Sequence, residues 1–184
     1  MSLSSASRPA SGNTRDERLR YKTALVETLR RDGGDFHIVA QLRAGASRAA
    51  IEDALYAWVA RVNRLYLGRS WSEPHRAKDR MKGVVFFETS GGFHHAHLVV
   101  RRPTTASLFH FILNARFLFQ PHPEVCLRHL HPRPVALRGA MKVLRIGPTE
   151  ADLDRVMNYV AKGLEAAIDR SDWKFLNELS PRQV

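Results

Sequence analysis

The sequence predicts an α+β domain: a central antiparallel β-sheet with helices packed mainly on one face. Three observations lead there. Period-two alternation runs through residues 35–43, and two further apolar-rich runs flank a Ser-Gly-Gly turn at 90–92. Segments with apolar residues three and four apart lie between and after these runs. The resulting order is strand, helix, strand hairpin, helix, strands, helix.

The first 16 residues, MSLSSASRPASGNTRD, are Ser-rich and nearly free of large apolar side chains. They read as a disordered tail, which leaves residues 17–184 as a single domain. Residues 17–31 form a short charged helix that stops at Gly33-Gly34. In DFHIVAQLR (35–43), Phe36, Ile38, Ala40 and Leu42 alternate with other residues, the pattern of a half-buried strand. Ser47 is a good N-cap for a helix through about Tyr66, with Ile51, Leu55, Trp58, Val59, Val62 and Leu65 as its apolar stripe.

Residues 67–82 form a basic connecting loop. GVVFFET and FHHAHLVVRR are then two strands of a hairpin across the Ser-Gly-Gly turn. TASLFHFILNARFLF (105–119) is a mostly apolar helix, ended by Pro121 and Pro123. EVCLRHL (124–130) and MKVLRIG (141–147) are further strands. Thr149 caps a last helix to about Asp169, and Glu150 and Asp152 sit in its first turn, where the helix dipole favours negative charge.

Over 184 residues the formal net charge is +11 and the pI is near 10.6, which favours a polyanionic partner. Most of that charge is arginine, whose planar fork grips phosphate oxygens in pairs. A codon bias toward arginine is the competing explanation. Cys126 is the sole cysteine, so an internal disulfide and a thiolate zinc site are both excluded. No apolar run approaches the roughly 20 residues of a membrane span, and no signal-peptide core is present. The expectation is a cytoplasmic protein with no membrane partner.

Candidate chemistry centres on GGFHHAHLVV (91–100). His95 and His97 are two apart on a strand, so both face one side while His94, Ala96 and Leu98 face the other. The hairpin folds Glu88 back beside them, giving two imidazoles and a carboxylate that suit a divalent ion. Packed or exposed histidines without a metal would leave the same short pattern. In DLDRVMNYVAKGL (152–164), Tyr159 falls at the edge of the stripe made by Leu153, Val156, Met157, Val160 and Leu164. It can therefore present its hydroxyl outward, with Lys162 one turn later on the polar side. By themselves those two residues carry little information.

Together, Glu88, six intervening residues, His95-Ala-His97 and a later Tyr159-x-x-Lys162 resemble the HUH endonucleases. Within that superfamily they are most similar to the single-tyrosine replication-initiator (Rep) nucleases of rolling-circle plasmids and viruses. The resemblance covers residues 35–168 and implies a ferredoxin- or RRM-like palm. Ala96 departs from it, since a bulkier apolar residue is usual between the histidines. Position 163 is Gly and position 155 is Arg, so no second tyrosine lies one turn away.

The resemblance implies nicking and rejoining of single-stranded DNA, at an origin or hairpin, through a 5′-phosphotyrosine link to Tyr159. Glu88, His95 and His97 would hold Mn²⁺ or Mg²⁺, and Lys162 would steady the phosphate. Between Glu88 and Glu150 the sole acidic residue is Glu124. Arg101, Arg102, Arg128, Arg133, Arg138, Lys142 and Arg145 in that interval are expected to contact DNA phosphates. No G-x-x-x-x-G-K-[ST] loop occurs, so unwinding would need a separate helicase.

Three alternatives stand beside this reading. A transposase or relaxase would use the same chemistry. A histidine-triad hydrolase would need a third histidine where Val99 stands. A non-catalytic basic DNA-binding protein would need no metal. His37, His75, His110, His122, His129 and His131 have no partner in the sequence pattern and read as structural or solvent-facing, and Trp71 reads as a packed indole ahead of a base-stacking one.

Overall fold

Among the described residues five strands form one sheet, and every pairing between them is antiparallel. A computed structural model of the chain describes residues 15–42, 46–90, 93–119, 140–161 and 173–179. Helix α1 (Arg15–Asp32) ends where Gly33 takes φ 76° and donates its N–H to Leu29 O at 2.8 Å. A left-handed turn of this kind is open to glycine at little cost. Strand β1 (Phe36–Gln41) follows, then helix α2 (Arg48–Leu67). The Ser47 hydroxyl caps α2 by accepting from the Ala50 N–H, as the sequence predicts.

The basic loop contains two short 3-10 turns, Arg69–Ser72 and Pro74–Arg76. Strands β2 (Lys82–Ser90) and β3 (Phe93–Arg101) form the expected hairpin. Gly83 is required at its base: φ there is 152°, and a side chain would overlap the Val99 carbonyl oxygen. Helix α3 (Leu108–Leu118), capped by Ser107, leads on to β4 (Ala140–Arg145) and α4 (Glu150–Ala161). The Asp152 N–H donates to Thr149 Oγ1 at 3.2 Å, the predicted cap. A three-residue strand, β5 (Trp173–Phe175), closes the edge beside β2. The sequence shows no trace of it, because three residues are too few to display alternation.

The segment β1-α2-β2-β3-α3-β4 with strand order 4-1-3-2 is a ferredoxin-like arrangement. Its two helices and the larger core share one face. Phe36, Ile38, Ala40, Val85, Ala96, Leu98, Val100 and Val143 from the strands meet Ile51, Leu55, Trp58 and Val62 of α2 and Phe111 and Ala115 of α3. Trp58 is wholly buried and donates its indole N–H to Ala115 O at 2.9 Å, so the ring enters the core with its polar atom satisfied. Phe36 stacks on Phe111 with centroids 4.8 Å apart. Ala96, the small residue between the histidines, is fully enclosed in this cluster.

A smaller cluster occupies part of the opposite face. Val84, Phe86 and Val99 pack there against Leu29 of α1 and Leu153, Met157 and Val160 of α4. Arg30 joins the two helices by gripping both Asp154 carboxylate oxygens, at 2.8 and 2.9 Å. The predicted strand 124–130, the prolines at 121 and 123, the helix beyond Ala161 and residues 1–14 of the tail lie outside the described residues.

Candidate metal centre

Strand register decides which side chains can meet. Across the hairpin Glu88 pairs with His95 and Phe86 with His97, so all four point to the face covered by α4. The Nε2 atoms of His95 and His97 each stand 3.1 Å from the same Glu88 oxygen, Oε2. One potential ligand atom from each residue lies within 4.8 Å of the others. Two imidazole nitrogens and a carboxylate oxygen at that spacing fit a single divalent cation, and Mn²⁺ accepts such a mixed donor set better than Mg²⁺.

Tyr159 reaches this cluster from α4. Leu153, Met157 and Val160 dock the helix on the sheet, and Tyr159, at the edge of that stripe, remains 63% exposed. Its ring stands edge-on to His97, with centroids 5.8 Å apart. The placement expected from the helical stripe is therefore met. Lys162 lies outside the described residues.

His37 requires a correction. The sequence offers it no partner, yet the structure buries it to 7% exposure within the cluster. Its ring stacks on His97, and its Nε2 lies 3.3 Å from His97 Nδ1. Tyr159 contacts it as well, edge-on at 5.8 Å. The alternation of β1 already directs His37 away from Phe36 and Ile38. What the sequence lacks is the pairing of β1 with β3, which sets His37 opposite Val99 and one step from His97.

Burial, then the neighbouring His97 and Lys142, pull the His37 imidazole down to about 4, so it is neutral near pH 7. Burial likewise lowers His97, partly opposed by the charge of Glu88. A neutral imidazole is the form that offers a lone pair to a metal.

The basic residues divide into groups. Lys142 is exposed on β4, opposite Val39 and on the face that carries His37. Arg101 and Arg145 line a cleft of about 550 Å³ with Arg31 at the other end of the sheet. Arg102 is tied into the fold: it pairs with Asp35 at 2.8 Å and donates Nε–H to Ala106 O at 2.8 Å. Arg128, Arg133 and Arg138 lie outside the described residues. Trp71 is half-buried beneath Arg80, whose guanidinium sits 5.8 Å from the ring centroid and donates to the Trp71 carbonyl. That is the packed indole expected.

Among the described residues, no helix is long and apolar enough to cross a membrane. No protein-family model, curated protein or solved structure matches the chain.

Proposed function

We propose that this protein is a single-tyrosine HUH-type nuclease that nicks and rejoins single-stranded DNA, in the manner of a rolling-circle replication initiator. One observation carries the reading: an exposed tyrosine stands edge-on to a histidine of a two-histidine, one-glutamate cluster. A single hairpin and a helix much later in the chain supply these groups, and their convergence is what a metal-assisted nucleophile needs. The basic surface, at net charge +11, suits a nucleic-acid substrate.

In this mechanism the Tyr159 phenol loses its proton to solvent and its oxygen bonds to the scissile phosphorus. The P–O3′ bond breaks, and the departing 3′-oxygen takes a proton from solvent. The strand's 5′-phosphate stays esterified to the protein. One phosphodiester replaces another, so the reverse attack by a 3′-hydroxyl rejoins the ends. A free phenol is mostly protonated at neutral pH and is a weak nucleophile without help. An ion held by Glu88, His95 and His97 supplies Lewis-acid polarisation of the phosphate when bound. Lys162, three residues after Tyr159 in the sequence, would add a cation for the developing charge. The open exposure of Tyr159 leaves room for a strand to approach.

The test is incubation with a pool of single-stranded oligonucleotides and Mn²⁺, followed by denaturing electrophoresis. A covalent protein–DNA band that disappears on chelation is the expected result. DNA binding with no band under any divalent ion would leave a non-catalytic DNA-binding protein.

A further inference from the structure

We propose that His37 is a positioning residue for His97, accepting a hydrogen bond from His97 Nδ1–H and so leaving the His97 Nε2 lone pair free for a bound divalent ion. The inference rests on the metal-centre reading and deepens it. The two nitrogens of His97 have different neighbours: Nε2 faces Glu88 Oε2 at 3.1 Å, and Nδ1 faces His37 Nε2 at 3.3 Å. Two neutral imidazoles share one proton across such an N···N contact. When the proton sits on His37, His97 Nδ1 accepts, and the His97 Nε2–H donates to Glu88. When it sits on His97 Nδ1, that atom donates to His37, and Nε2 is free to ligate.

An imidazole at position 37 can serve either tautomer, donating in one case and accepting in the other. A carboxylate there would favour only one of them. An apolar side chain would leave His97 Nδ1 unpaired in a site where His97 is 8% exposed. The stacked ring also restricts how far His97 can turn, and partners that orient a metal-ligating histidine commonly govern metal affinity.

The experiment is calorimetric titration of the full chain with Mn²⁺ alone, without DNA. His37→Leu removes the hydrogen-bonding nitrogen at similar bulk and is expected to weaken Mn²⁺ binding about 10–100-fold. His37→Gln keeps a terminal amide that can donate or accept, and is expected to restore most of the affinity. Wild-type affinity in His37→Leu would overturn the role of His37 while leaving the metal centre standing. Absence of Mn²⁺ binding by the wild-type protein would overturn the centre and this role together.

A second measurement needs no variant and decides the matter if His37→Leu does not fold. The ¹⁵N shifts of the His97 ring in the wild-type protein are read with diamagnetic Zn²⁺ as probe. A protonated Nδ1 coupled to His37 Nε2 in the loaded protein is expected. A protonated Nδ1 that shows no coupling to His37 Nε2, or an unprotonated Nδ1, would overturn the proposal.

Discussion

Ala96, Leu98 and Val100 of β3 are wholly buried against α2 and α3, while their immediate neighbours His95 and His97 face Glu88, His37 and Tyr159. One strand thus serves two environments that differ by a half-turn of the pleat. The closed face is filled by Trp58, Phe111 and the aliphatic side chains around them. The other face is covered at Val84, Phe86 and Val99 by α1 and α4, whereas Glu88 and Tyr159 remain exposed. His97 pairs across the hairpin with Phe86, at the border between apolar cover and open site. The closed face supplies most of the apolar burial, and the half-covered face leaves the Glu88 and Tyr159 side chains open to solvent.

The largest effect should come from Tyr159→Phe. The change removes one oxygen from an exposed ring, so stability should shift by no more than about 0.5 kcal/mol. Cleavage and the covalent adduct should both vanish while DNA binding persists. Nicking at the wild-type rate by Tyr159→Phe would make water the attacker and break the division between the faces.

Trp58→Ala tests the closed face. Removing a buried indole and its hydrogen bond to Ala115 should cost about 3–5 kcal/mol in urea unfolding. Mn²⁺ affinity of the molecules that remain folded should not change. A comparable loss of affinity would show that packing beneath the sheet tunes the histidines above it.

Lys142→Ala probes the rim of the open face. If Lys142 contacts one phosphate, the salt slope of single-stranded DNA binding should fall by about 0.7. An unchanged slope would confine Lys142 to its electrostatic effect on His37.

The smallest effect concerns Glu52, which joins α2 to the sheet edge through Lys174 at 2.8 Å and also pairs with Arg48. Burial works to raise its carboxyl, but hydrogen bonds from Lys174 and Arg48 outweigh it and hold the group below its ordinary 4.5. The unfolded chain therefore takes up this proton more readily. The contribution is complete above about pH 4.5 and fades as pH falls through the lower folded value. Solvent screening keeps it under about 1 kcal/mol. Stability of wild type and Glu52→Gln should converge on acidification, and a constant gap would assign the difference to packing.

Much of this architecture is legible in the sequence because its signals are local. The parity of His95 and His97, the turn that returns Glu88, the Ser47 and Thr149 caps and the edge position of Tyr159 all follow from residues within a few places of one another. Backbone periodicity and side-chain hydrogen bonds act over that range. The tertiary structure decided the rest. His37 joins the cluster because β1 lies beside β3, some 60 residues away in the chain. Arg102 is drawn into the fold by Asp35, 67 residues distant. Neither pairing leaves a local pattern, since strand register and helix docking are set by burying apolar surfaces that meet only when the chain has folded.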